Sequence, residues 1–596
     1  MPRPRQSIRG YGMTIAVSTE EIHGDRAGFQ PETDPAPVAM TPAATIGAAL
    51  LDLADSDPDR PLAYVEGSGD PVRLTAAELA ERAGAAATTL AEHGVRRGDR
   101  VGVCMDTSAD AYATLHGCFL LGAIPFVSEP PLATMRRQRW ADRLRLLISR
   151  AEPRAVVVAP EFLDAVTEPC KEAGVAIVEP PFEGGLDLAT AQAKPDDIAL
   201  LQFTSGTTGD SRGVTLTHES IFANATAIGE RAYRAGDLIV SWLPMHHDMG
   251  LIGLNLAPLL HGLPVASMPP LSFAVRPERW LWAMHRYRGT FTSAPNFAYR
   301  MCASNIPDAK LAGLDLSAWR VAGNGAEVVQ ANTLRLFAER MAAYGYRERS
   351  MMPCYGMAEI TLAATMCEPG EPLTTLTVSR DRLAADGEVV EAEAGAADAQ
   401  ELVSSGTALT GMDLRVVDDE GADLPDRRQG TILLRTDSMM SGYYRQPEET
   451  AKVLADDGWL NTGDQGFTDA GQTYVTGRVK DVVIIAGSNY HPYAFESAAA
   501  SVEGLRANSI AAVGCPDEER STEALVLVVE SKSHADADAV AQIREGVIQA
   551  VSAETGLRPD RVEVVPRGTL PKTPSGKLQR RHVVDALVDG TLPTSH

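Results

Sequence analysis

The sequence predicts an α/β protein in two parts: a large N-terminal domain of layered sheets and helices, then a small C-terminal α/β domain. Three observations predict it. At 596 residues the chain is too long for one hydrophobic core. From about Thr41 onward, helical periods alternate with short β-branched runs, the pattern of sheets joined by crossover helices. Finally, GRVKD (residues 477–481) sits between two strand patterns, where a short hinge can join two domains.

Taken in order, residues 1–41 open with the basic MPRPRQSIRG and turn acidic and Pro-rich, without the apolar core of a secretion signal. They read as a flexible tail. DRVGVCM and PRAVVVAP read as strands of the first part. A helix from Thr134, TMRRQRWADRLRLLISR, carries several arginines along an amphipathic surface, either a solvated face or a docking patch for an acidic partner. DIALLQF, DLIVSWLP and GTFTSAP supply further strands. Residues 367–402 break the pattern: little apolar period and an acidic, Ala/Gly-rich second half suggest an inserted surface element. DLRVVDDEGADLP and GTILLR read as strands around turns. From about Asp481, SIAAVGC, EALVLVVE, DAVAQIREGVIQAV and RVEVVP alternate strand and helix, enough for a small α/β domain.

Composition narrows the function. Hydrophobic residues at 44% and charged residues at 22% are ordinary for a soluble globular protein. A formal net charge of -25 opposes a nucleic-acid or anionic-membrane partner, each of which asks for a basic face. A small phosphorylated ligand stays compatible where cations are concentrated locally. The seven cysteines (104, 118, 170, 302, 354, 367 and 515) are odd in number and scattered, with no C-x-x-C pair, as expected of a reduced cytoplasmic protein. The most apolar run, LIGLNLAPLLHGLPVA from Leu251, is too short to span a bilayer and holds two prolines and a histidine, so no transmembrane segment is expected.

The stretch TSGTTGDSRGVTLTH, residues 204–218, crowds hydroxyls and glycines into a loop after the strand DIALLQF. It fails as a Walker loop, because Gly206 and Gly209 are too close and Asp210 stands where the lysine belongs. Its backbone N–H groups and hydroxyls can still converge on an anion.

Six further motifs follow in order: PMHHDMG, NGAE, YGMAE, NTGD, GRVKD and LPKTPSGKLQRR. Together with the loop they resemble the acyl-adenylate-forming superfamily over roughly residues 42–585. The resemblance implies an adenylation domain over residues 42–479, a small mobile C-terminal domain over 480–596, and a hinge at Lys480. It implies that a carboxylate attacks the α-phosphorus of ATP, forming acyl-AMP and releasing pyrophosphate, with ATP and magnesium required. Cations and preorganised donors would stabilise the separating charge.

By the same resemblance, Thr204, Ser205, Gly206, Thr207, Thr208 and Gly209 hold the β and γ phosphates, and Arg212 adds a charge. Asn324, Gly325, Ala326 and Glu327 form the adenine-binding strand end. Tyr355 stacks on adenine, with Gly356, Met357 and Ala358 beside it, and Glu359 is the magnesium ligand. Asp464 takes the ribose hydroxyls, while Arg478 helps fix the nucleotide. Lys577 bridges the substrate carboxylate and α-phosphate, a task suited to a compact charge on a flexible stem. His247 stands at the gate of the acyl pocket, and His246 is expected on the opposite side of a strand.

Within the superfamily, SWLPMHHDMGLIG, NGAE and YGMAE resemble the fatty acyl-AMP ligase branch, with Ala358 where CoA synthetases usually carry threonine. Residues 367–402, including VSRDRLAADGE, resemble that branch's insertion. This implies a fatty acid substrate and transfer to the phosphopantetheine thiol of an acyl carrier protein or carrier domain, in lipid, polyketide or lipopeptide biosynthesis. A fatty acyl-CoA synthetase is the alternative. A non-catalytic nucleotide- or lipid-binding scaffold is opposed by retention of Glu359, Asp464, Arg478 and Lys577 together. Departures from the pattern are Arg212 for the usual loop lysine, Ser211 for proline, Val328 for the proline after NGAE, and Ala486 and Ser488 for basic residues.

Overall fold

The computed structural model describes residues 36–67, 70–131, 137–185, 193–204, 211–485, 488–517, 522–572 and 577–593. Its largest sheet has nine strands in the order Thr407–Ala408, Ala363–Met366, Met351–Gly356, Val321–Asn324, Phe291–Ala294, Ile239–Ser241, Val265–Ser267, Pro61–Val65 and Val72–Thr75. The middle strands, from Met351–Gly356 to Pro61–Val65, run parallel. They are short and buried along most of their length, as a sheet covered on both faces requires. Register aligns Ala294 with Asn324, and Asn324 with Pro353, so the carboxyl ends of these strands share one edge. In open parallel sheets that edge is where ligands bind.

Arg100–Cys104, Ile124–Val127, Ala155–Val158 and Ala176–Val178 form a second parallel sheet. Met412–Val417, Gly430–Thr436, Leu460–Asp469 and Gln472–Arg478 form an antiparallel one, in which Asp464 lies opposite Arg478. DIALLQF is the strand Ile198–Phe203, paired antiparallel with Gly213–Thr217 so that Phe203 faces Gly213. The Ser/Thr/Gly loop therefore joins two strands of a hairpin. The helix His218–Ala232 starts only after the second strand, behind a capping box in which Thr217 and Ser220 exchange hydrogen bonds of 3.1 Å.

Beyond Asp481 the chain builds separate cores. Val483, Phe495, Leu527 and Val547 meet on one side of the three-stranded sheet formed by Ile510–Asp517, Thr522–Glu530 and Arg561–Val565. Ala511, Val526, Val565 and Val583 meet on the other.

Three expectations change. Residues 367–402 contain a hairpin, Thr375–Ser379 against Ala399–Val403, and a helix, Arg380–Asp386. Val378, Leu383, Val389 and Leu402 pack there on Phe467 and Tyr474, whose rings stack at 4.9 Å. That stacking adds about 0.5–1.5 kcal/mol beyond the area buried. The segment's apolar residues are few, and their partners lie far along the chain, which hid the core from a local reading. The described part of the Arg-rich helix, Arg137–Ala151, is also less free than expected. Arg143 pairs with Glu129 at 2.9 Å, Arg145 with Glu172 at 2.6 Å, and Arg150 donates to the Ser211 carbonyl. The tail, finally, is attached at its end: Ala235 N–H donates to Ala36 O at 2.7 Å and Thr41 N–H to Leu260 O at 2.8 Å. Residues 1–35 lie outside the described residues. Among the described residues no helix is long and apolar enough to cross a membrane.

Candidate active site

The carboxyl edge of the nine-stranded sheet opens into a cavity of about 830 Å³. Thr204, Arg212, His247, Ala326, Glu327, Tyr355, Gly356, Met357, Ala358, Glu359, Asp464, Arg478, Lys480 and Lys577 all line it. Asn324 and Gly325 stand behind that wall. Asn324 is fully buried beside Asn296, and a Cβ on Gly325 would lie 2.8 Å from the Cys354 carbonyl oxygen. Ser205, Gly206, Thr207, Thr208 and Gly209 lie outside the described residues.

Tyr355 and Glu359 enter from the end of the strand Met351–Gly356. The chain turns so tightly there that a Cβ on Gly356 would come within 1.8 Å of the Leu362 carbonyl oxygen, so only glycine fits. Tyr355 OH donates to Asp464 Oδ2 at 2.7 Å, and Arg478 Nε donates to Asp464 Oδ1 at 3.0 Å. The antiparallel sheet thus delivers a carboxylate and its guanidinium from opposed register positions. Glu359 accepts from Tyr443 OH at 2.9 Å, and burial pushes its carboxyl above the usual range.

His247 Nδ1 lies 2.6 Å from Asp248 Oδ1. Burial works against the Asp248 charge, but His247, and more weakly Lys577, outweigh it and hold that carboxyl below its usual range. His246 lines the same cavity, contrary to the expected alternation, because residues 245–247 form a turn instead of a strand. Burial pushes its imidazole down to about 3. Lys577 is itself buried enough that its ammonium is pushed below the usual range, although Asp248, Glu327 and Asp464 draw it back. Three carboxylates of the cavity lining therefore support the charge of this lysine against its burial.

Arg212 continues the hairpin: Thr204 N–H donates to its carbonyl at 2.9 Å. Its guanidinium bonds Glu449 at 2.7 Å and lies 5.0 Å over the Tyr443 ring. Lys452 also pairs with Glu449. Tyr443, Glu449 and Lys452 were missed as site residues, because no local motif marks SGYYRQPEETAK as part of a cavity built mainly by other segments; Asp248, inside PMHHDMG, was passed over in favour of its histidine neighbours. His491, also missed, lines the cavity with neither ring nitrogen hydrogen-bonded among the described residues.

A carboxylate held near a tyrosine, a carboxylate-guanidinium pair and an inward lysine suit a nucleotide and a transferring phosphoryl group. Comparison with known proteins agrees: the family described as "AMP-binding enzyme" matches residues 52–444. The chain belongs to the AMP-binding enzyme family. Enzymes of this family use ATP. A relative from Caulobacter vibrioides, provisionally named an acyl-CoA synthetase, is 34% identical over 525 residues, 87% of this chain and 91% of the relative. The medium-chain-fatty-acid–[acyl-carrier-protein] ligase JamA of Moorena producens is 32% identical over 540 residues, 87% of this chain and 90% of JamA. Among solved structures, one from work on fatty acyl-adenylate ligases of E. coli and L. pneumophila is 30% identical with a TM-score of 0.86, covering 93% of this chain and all of that one. The solved structural neighbours are adenylation enzymes with a large N-terminal and a small C-terminal domain.

Proposed function

We propose that this AMP-binding enzyme is a fatty acyl-AMP ligase, carried by one observation: Glu359, Tyr355, Asp464 and Lys577 line a single cavity that also has an apolar arm. In the first step a carboxylate oxygen of the fatty acid bonds to the α-phosphorus of ATP, and the bond to the bridging oxygen of pyrophosphate breaks. Asp464, oriented by Tyr355 and Arg478, accepts the ribose hydroxyls, and Tyr355 presents its ring to adenine. Lys577 bridges the acyl carboxylate and α-phosphate, its charge supported by Asp248 and Glu327. His247, tied to Asp248, gates the acyl arm. Residues 204–209 hold the β and γ phosphates with Arg212.

Magnesium suits this site. No cluster of three or more His, Cys, Asp or Glu that could hold a metal ion occurs among the described residues. Glu359 offers one hard carboxylate, the arrangement magnesium accepts when substrate phosphates and water complete its shell. Bound there, the ion would neutralise phosphate charge. The Tyr443 hydroxyl would keep Glu359 aimed.

In the second step the acyl group passes to the phosphopantetheine thiol of an acyl carrier protein, AMP leaving, after the unit from Lys480 onward turns about that residue. The name of JamA, a fatty-acid–[acyl-carrier-protein] ligase, supports this acceptor. The name of the Caulobacter relative favours the second reading, transfer to CoA. Seven unpaired cysteines support a reducing, cytoplasmic setting. Incubating the protein with ATP, magnesium and a fatty acid, then offering holo-carrier protein or CoA, separates the readings. Acyl-AMP followed by acyl-carrier product is expected; rapid acyl-CoA release would overturn the acceptor, and absence of pyrophosphate would overturn the ligase.

A further inference from the structure

We infer that Tyr233 is the end wall that sets how long an acyl chain the cavity accepts, an inference that rests on the acyl-adenylation reading. The apolar arm lies between the helix His218–Ala232 and the nine-stranded sheet, with Ile228 from the helix and Phe291 from the sheet on its walls. Phe291 is the first residue of a strand whose last, Ala294, lies near the catalytic edge. Three rises of about 3.3 Å give that descent a depth of about 10 Å. Tyr233 caps the helix at the far end, its ring edge-on to Phe291 at 5.1 Å and to His261 at 5.2 Å.

Tyr233 is pinned there by a gap in the neighbouring backbone. Met249–Leu256 is a π-helix, in which a carbonyl accepts from the N–H five residues on. For Gly253 that residue is Pro258, which has no N–H. The α-helical partner, Ala257 N–H, bonds Ile252 instead. Tyr233 OH supplies the missing donor, reaching Gly253 O at 2.9 Å in the interior. The wide turn is reinforced by Asn255, whose Nδ2 donates to Gly250 O at 2.6 Å and whose Oδ1 accepts from Tyr112. A longer chain would have to push the phenol aside and strand a buried carbonyl, so the ring acts as a stop.

The test measures calorimetric binding of octanoate, laurate and palmitate to the full-length protein, and acyl-AMP formation from each by mass spectrometry, for wild type, Tyr233→Ala and Tyr233→Phe. Tyr233→Ala is expected to raise palmitate relative to octanoate by about tenfold or more, since a hydrophobic pocket discriminates about tenfold or more per methylene. Tyr233→Phe is expected to lower Tm and to shift preference toward palmitate by less than Tyr233→Ala does, because the ring stays but is no longer pinned to the Gly253 carbonyl. An unchanged octanoate-to-palmitate ratio in a folded Tyr233→Ala protein overturns the inference. If that variant does not fold, Tyr233→Trp must shift preference toward octanoate, and no shift overturns it equally. Binding that follows the expected pattern without any acyl-AMP overturns the ligase reading and upholds the end wall.

Discussion

The Tyr443 hydroxyl donates to Glu359 Oε1 at 2.9 Å, joining residues 84 positions apart. The segment that carries Tyr443 is fastened on both sides. Met440 N–H donates to the Glu359 carbonyl at 2.8 Å, and Ser441, Gly442 and Tyr444 exchange backbone hydrogen bonds of 2.7–3.0 Å with the strand Gly213–Thr217. One short stretch therefore fixes the phosphate hairpin and the half-buried glutamate relative to each other.

Tyr443→Phe removes this orienting hydrogen bond and keeps the ring under Arg212. It is expected to raise the magnesium concentration needed for half-maximal acyl-AMP formation by about tenfold or more, as loss of a partner behind a metal ligand commonly does. A magnesium titration of activity, paired with direct metal binding in the presence of a non-hydrolysable ATP analogue, checks this. An unchanged magnesium requirement would show that Tyr443 does not orient Glu359.

Lys577→Ala is expected to cut acyl-AMP formation by about 100-fold or more, the scale of losing one charge-stabilising donor in a transition state. Tm should hold, because this side chain belongs to the cavity and not to a core. Near-normal ATP–pyrophosphate exchange in the purified variant would sink the assignment.

Arg212→Lys should keep substantial activity. The guanidinium's place over the Tyr443 ring is lost, but an ammonium can still pair with Glu449. Steady-state kinetics decide it: a collapse comparable to Lys577→Ala would make the loop's own cation a principal catalyst.

The pH profile follows from two groups displaced toward each other. Glu359 must be ionised, and burial pushes its carboxyl above the usual range, so activity rises with pH later than an ordinary glutamate would allow. Lys577 must be protonated, and burial pushes it below the usual range, so activity falls earlier than an ordinary lysine would allow. A bell narrower than free glutamate and lysine would give is expected in kcat/KM. Lys577→Arg should carry any remaining activity to higher pH, since arginine stays charged. A falling limb that does not move in that variant would assign it to another group.

The strands were legible because their cause is local. The β-branched run of PRAVVVAP and the apolar run of DIALLQF are strands in the structure, at Ala155–Val158 and Ile198–Phe203. Asp464 and Arg478 were legible only through the motifs NTGD and GRVKD and the family these resemble; the structure adds that they lie opposite each other across one hairpin. Residues 367–402 were not, because their core forms only against Phe467 and Tyr474.

The order of residues along the chain was enough for the kind of protein: an α/β chain whose ordered motifs resemble those that handle a nucleotide, Glu359, Asp464, Arg478 and Lys577 among them. Tertiary structure alone decided which of the named residues face the cavity, with Ala326 and Glu327 on its wall and Asn324 behind it. It alone brought Tyr443 to Glu359 and Tyr233 to Gly253. The physical reason is that element type follows from nearest neighbours in the chain, whereas burial and the satisfaction of a buried polar group depend on partners brought together only when the sheets and helices pack.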